Sequence, residues 1–144
     1  MESFNPIHHL DELRVMIDEA TEAAIQKMYK TRRVISAKDF VDKLKSGELS
    51  EVVVIDVREP DEYVADNISG INIPLGEIES RVNEIPKDVM VVVHCKSGRR
   101  SEAAIDILED KFGFENLHNM EGGLNAIRGV TDCGCLNDKV KAAR

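Results

Sequence analysis

Apolar residues fall along this chain in two rhythms. Over residues 7–30 they recur at threes and fours, as Ile7, Leu10, Leu13, Ile17, Ala20, Ala24 and Met28 with charges between. That spacing predicts one amphipathic helix. At 52–55 and 89–93 the rhythm gives way to unbroken runs, "VVVI" and "VMVVV". These are short and β-branched, and they predict strands buried on both faces.

The remaining elements follow from local signals. Val34 and Ile35 predict a short strand. Ser36 with Asp39 resembles an N-cap box, Phe40, Val41 and Leu44 give an inner helical face, and Gly47 ends it. Pro60 fits the first turn of a short helix through about Asp66. A brief strand is expected near 71–73, stopped by Pro74, and Ile78, Val82 and Ile85 then recur at helical spacing until Pro86. A helix is expected from Ser101 to about Phe112, with Ala104, Ile105, Leu108 and Phe112 as its buried stripe. "ENLHNM" reads as another short strand and "GGLNAIRG" as a brief helix. Two buried strands, each followed by helical pattern, predict an α/β domain with a central, mainly parallel sheet flanked by helices. Ligands of such sheets sit beyond the carboxyl ends of the strands. Asp56 and Cys95 stand at two of those ends.

Composition narrows the function classes. A length of 144 residues is about one domain on a prior of roughly 150. The net charge of −8 argues against a general binder of nucleic acid or anionic membrane. No apolar stretch approaches the roughly 18 residues of a spanning helix, and "MESFNPIHHLDELRVM" lacks the basic flank and apolar core of a secretory signal. Cys95, Cys133 and Cys135 form no spread-out disulfide framework. A reduced, cytoplasmic protein is expected, with an N-terminal helical extension over 1–33, one domain over 34–128 and a weakly patterned tail over 129–144.

The chemistry concentrates at "HCKSGRRS", residues 94–101. Cys95 ends a buried strand shortly before a helix, so the backbone between must curl, and Gly98 supplies a residue free to take positive φ. Amides in a tight curl converge into an anion-binding nest, the helix N-terminus adds its positive end, and Lys96, Arg99 and Arg100 raise the local potential. In such a field a cysteine loses its proton readily and becomes a nucleophile. His94 points to the opposite face of the strand and is read as structural. Ser97 and Ser101 are candidates to turn hydroxyls into the loop, with helix capping the plainer role for Ser101.

"VIDVREPDEY", "ISGINIP", "VVVHCKSGRRSEAA" and "NMEGGLNAI", in this order, resemble the rhodanese (thiosulfate sulfurtransferase) domain family over about residues 34–128. The resemblance implies a rhodanese-like three-layer fold, here preceded by the N-terminal helix. It also implies a cysteine that accepts a sulfane sulfur as a persulfide and hands it to a thiophilic acceptor. By position, Cys95 matches the persulfide-bearing residue, and Lys96 to Arg100 complete the loop whose amides cradle the sulfur. Asp56 and Arg58 match the family's D-x-R as supporting residues, Arg58 making structural ion pairs, with Glu62 a candidate partner. The implied partners are a small anionic sulfur donor such as thiosulfate and a thiol or protein acceptor; no metal or organic cofactor is called for. One departure stands out: the family pattern carries tryptophan where this chain has Ile127.

Rival readings remain at this point. A cysteine-dependent phosphatase loop places its clamping arginine six residues after the cysteine, a position occupied here by Ser101, with arginines at four and five. A sulfur-carrier module serving a protein partner, and thiol-based arsenate reduction, also fit. Cys133 and Cys135 are incidental, a relay for sulfur from Cys95, or half of a metal site, since one residue apart they cannot close a tetrahedral site alone.

Overall fold

The computed structural model describes residues 33–131, which belong to one compact unit. The helix expected over 7–30 and the cysteines at 133 and 135 lie outside the described residues. Five strands form one sheet in the order β1-β5-β4-β2-β3, every pair parallel: β1 (Val34–Ser36), β2 (Val53–Asp56), β3 (Ile71–Asn72), β4 (Val91–His94) and β5 (Leu117–Glu121). Among the described residues there are four α-helices, each following a strand: α1 (Ala37–Ser46), α2 (Pro60–Ala65), α3 (Arg99–Phe112) and α4 (Gly123–Val130).

Strand alternation divides the core in two. On one face, Val53, Ile55, Val91, Val93 and Leu117 pack with Ala104, Ile105 and Leu108 of α3 and with Ile78 and Ile85. On the other, Val54, Val92 and Met120 pack with Phe40, Val41 and Leu44 of α1 and Leu124 and Ile127 of α4. Every residue of β2 and β4 is buried, as their continuous apolar runs require. Ile127 is 0% exposed, so the residue standing where the family pattern carries tryptophan fills a core position. The N-cap of α1 forms as read, with the Ser36 hydroxyl accepting from the Asp39 amide at 3.1 Å.

Two expectations need correction. Residues 75–85 form two 3-10 turns, Leu75–Glu77 and Val82–Glu84, rather than an α-helix. Ile78 and Ile85 still point inward. The spacing of buried residues is satisfied by 3-10 turns as well, which cover more distance per residue while the chain crosses from β3 over β2 to β4. The second correction concerns α3, which begins at Arg99 on an N-cap of Gly98, two residues before the expected start at Ser101.

The topology locates a crevice. The connection leaving β2 runs to the β3 edge, whereas that leaving β4 runs the other way, to β5. The carboxyl ends of β2 and β4 are therefore a switch point, where neighbouring loops part and leave room for a ligand. Among the described residues no helix is long and apolar enough to cross a membrane.

Candidate active site

Cys95 follows the last residue of β4 and continues its alternation. Val91, Val93 and Cys95 belong to the α3 side of the core, while Val92 belongs to the other side. The turn that follows is possible because Gly98 takes φ of 104°, a value that side chains disfavour. Three of the loop carbonyls, those of Cys95, Lys96 and Gly98, are engaged. That of Cys95 accepts from the Leu124 amide at 2.8 Å, and that of Lys96 from the Asn125 amide at 3.1 Å, both at the start of α4. That of Gly98 accepts from the Glu102 amide at 3.2 Å and from Asn119 Nδ2 at 3.2 Å.

With its carbonyls so held, the loop presents amides to the sulfur, and the Gly98 amide donates to Cys95 Sγ at 3.0 Å. Gly123 makes the close approach of α4 possible. A Cβ there would overlap the Cys95 carbonyl oxygen and lie 2.7 Å from the carbonyl carbon and oxygen of Lys96.

Opposing effects set the acidity of Cys95. Burial pushes the thiol up, while hydrogen bonds from the Ser101 hydroxyl and the amides of Ser101, Gly98 and Ser97 pull it down. The balance lies below the ordinary thiol value. Among the described residues no cluster of three or more His, Cys, Asp or Glu could hold a metal ion.

The residues expected around the loop separate into different roles. Lys96, Ser97 and Arg99 are exposed at its rim. Arg100 is turned aside into a two-pronged ion pair with Glu62 of α2, at 2.7 and 3.0 Å, which bridges the switch point. The Arg100 guanidinium, through that hydrogen bond, holds the Glu62 carboxyl down at about 2. Arg58 accordingly pairs with Asp56, not with the Glu62 carboxylate: its Nη2 lies 2.8 Å from Asp56 Oδ2, and it also donates to the main-chain oxygens of Glu62 and Asp66. Asp56 and Arg58 are 0% and 4% exposed, a buried support beneath the crevice. His94 is buried, with Nε2 3.8 Å from Asp56 Oδ2 and neither ring nitrogen hydrogen-bonded. Burial pushes it below the ordinary histidine value, so it is neutral at pH 7.

Ser101 does not cap α3. It is the third residue of that helix, fully buried, with Oγ 3.6 Å from Cys95 Sγ. Asn119 on β5 completes this corner and escaped the sequence reading: its Oδ1 lies 2.6 Å from Ser101 Oγ. Alternation was the available signal. Asn119 lies two residues beyond the buried Leu117, so it faces the same side of the sheet and needs polar partners there.

A protein-family model described as "Rhodanese-like domain" matches residues 36–129. "Putative sulfur carrier protein YrkF" of Bacillus subtilis is 38% identical over 99 residues, covering 68% of this chain and 52% of that protein. A protein of Allochromatium vinosum named "Sulfurtransferase" is 35% identical over 81 residues, covering 56% of this chain and 75% of the relative. Among solved structures, a rhodanese-related protein from Thermoplasma volcanium superposes with a TM-score of 0.60 at 31% identity, covering 70% of this chain and 95% of that one. The chain spans 52%, about half, of the length of the Bacillus relative.

Proposed function

We propose, for a chain that belongs to the rhodanese-like domain family, that it is a sulfurtransferase working through a persulfide on Cys95. The observation that carries this reading is the placement of the sulfur. Cys95 Sγ accepts from the Gly98 amide at 3.0 Å, inside a turn whose Cys95, Lys96 and Gly98 carbonyls are engaged elsewhere. A thiolate there, and a terminal persulfide sulfur after it, have donors already aimed at them and lose little to reorganisation. The Cys95 thiolate attacks the outer sulfur of thiosulfate, the S–S bond breaks, and sulfite leaves with the electron pair. An acceptor such as cyanide then takes the outer sulfur as thiocyanate and returns the thiolate.

The exposed Lys96 and Arg99 are the cations that meet the donor dianion, because Arg100 is engaged by Glu62. The same engagement weighs against phosphatase chemistry, which needs an arginine free to grip a phosphoryl group with both prongs. The name of the Bacillus relative favours a second form of the reading, in which the Cys95 persulfide is delivered to a protein or thiol acceptor.

Intact mass of the wild type and Cys95→Ala after thiosulfate, before and after cyanide, tests the proposal. The expected result is one added sulfur on the wild type alone, removed by cyanide with thiocyanate formed. A folded wild type that gains no sulfur overturns thiosulfate as donor, and failure with organic persulfide donors as well overturns the persulfide.

A further inference from the structure

The hydrogen-bond arithmetic around Ser101 does not close on a single state. Its Oγ lies 2.6 Å from Asn119 Oδ1, 3.1 Å from the Gly98 carbonyl oxygen and 3.6 Å from Cys95 Sγ. A hydroxyl has one hydrogen to give. The first two neighbours are acceptors only, and the shortest distance assigns the hydrogen to Asn119. The amide cannot be reversed, because Oδ1 would then face the Gly98 carbonyl oxygen 3.2 Å away, acceptor against acceptor. With its hydrogen on Asn119, Ser101 turns a lone pair toward Cys95. That arrangement suits a thiol, whose S–H donates to the Ser101 oxygen. It does not suit a thiolate, which has nothing to donate and needs the hydroxyl hydrogen itself.

We propose that Asn119 is a positioning residue that sets the acidity of Cys95, by holding the Ser101 hydroxyl hydrogen in the thiol state and surrendering it to the thiolate. The proposal rests on Cys95 acting as the nucleophile. Deprotonation then consists of two coupled moves: the thiol proton leaves to solvent, and the Ser101 hydroxyl swings from Asn119 to Sγ. Asn119 is half-buried, so water is able to replace the lost donor at Oδ1. The grip of Asn119 makes the thiolate dearer than the loop amides alone would make it.

Among the described residues no charged side chain is hydrogen-bonded to the Ser101 hydroxyl. His94 of β4 faces the far side of the sheet beside Asp56 and Arg58. On α3, Arg100 is paired with Glu62 of α2. Lys96 and Arg99 of the loop are exposed, and Arg128 of α4 is paired with Asp66. In the 3-10 connector, Glu77 and Glu84 are both paired with Arg81. Lys111 of α3 is paired with Glu79.

The test is a thiolate titration by ultraviolet absorbance, each protein read against its own Cys95→Ala counterpart to isolate this thiol. Asn119→Leu and the smaller Asn119→Ala serve as two variants, with circular dichroism to verify folding. Both are expected to titrate lower than the wild type by roughly one pH unit, a tenfold gain in acidity. Ser101→Ala is expected to titrate higher, and adding either Asn119 substitution to it should then change nothing. An unmoved or raised titration in both folded Asn119 variants overturns the proposal. So does a downward shift that persists without the Ser101 hydroxyl, since Asn119 would then act through the shape of the loop. The titration uses no sulfur donor, so failure of sulfur transfer overturns the proposed function and leaves this result standing.

Discussion

Replacing Glu62 by glutamine removes a charge while keeping the size of the side chain, and it isolates the ion pair that spans the crevice. Arg100, with smaller help from the Glu59 amide and from Arg58, depresses the Glu62 carboxyl from 4.5 to about 2. At about 1.36 kcal/mol per unit, that difference sets a ceiling of roughly 3.4 kcal/mol on the stability held in the charged form. The two side chains are 29% and 34% exposed, so solvent screening reduces the contribution to about 1–2 kcal/mol. Because the folded-state value is the lower one, the contribution is complete above 4.5 and is lost as pH falls through about 2. Urea unfolding should therefore find Glu62→Gln less stable by about 1–2 kcal/mol at neutral pH, with the gap narrowing toward pH 3 for as long as both proteins stay folded. Sulfur loading should change in the opposite sense. An Arg100 released from Glu62 adds a free cation at the rim, so the apparent affinity for thiosulfate rises and its dependence on salt steepens. A stability gap that is the same at pH 7 and pH 3, or absent at both, would refute the reasoning.

Arg58→Met leaves the buried Asp56 side chain without its guanidinium partner, and urea unfolding should register a loss of about 3–5 kcal/mol. Gly123→Ala drives a methyl into the Cys95 and Lys96 carbonyls and displaces the loop. Rapid-quench sulfur loading should slow by at least roughly tenfold, the equivalent of about 1.4 kcal/mol, while the fold persists by circular dichroism. His94 has a folded-state value below its ordinary 6.5, so the unfolded chain takes the proton first and stability falls as pH drops below 6.5. His94→Leu should flatten that fall by up to about 1.36 kcal/mol per pH unit, read as the pH dependence of urea midpoints; an unchanged slope refutes the assignment.

Where one physical cause dominated, the sequence was legible. Continuous β-branched runs can be satisfied only by burial on both faces, and β2 and β4 emerge as the buried centre of the sheet. Ser36, Pro60 and Gly47 act locally, so the ends of α1 and the start of α2 follow from the residues themselves. The segment with Ile78, Val82 and Ile85 misleads because burial at threes and fours does not distinguish an α-helix from successive 3-10 turns. What decides is the path between β3 and β4, a property of the sheet order. The early start of α3 has a similar origin: Gly98 at positive φ is able to serve as N-cap, whereas side-chain preference alone points to a polar cap at Ser101.

The candidate site divides along the same line between local and tertiary causes. Cys95, Gly98 and the cations are adjacent in sequence, so their convergence follows from one strand end and one tight turn. What those groups are free to do depends on residues far along the chain. Glu62 stands 38 residues from Arg100 and removes that arginine from the rim of the Cys95 loop. Asn119 stands 18 residues beyond Ser101 and lays claim to the hydroxyl that the Cys95 thiolate needs. Counting loop charges therefore overstates the field that a substrate meets, and counting loop hydroxyls overstates the donors that the sulfur meets. The useful step beyond the motif is to ask which of its groups already has a partner. On the proposed mechanism the exposed Lys96 and Arg99 and the inward-facing amides are left to meet substrate and sulfur, while Arg100 and Ser101 must first let go of Glu62 and Asn119.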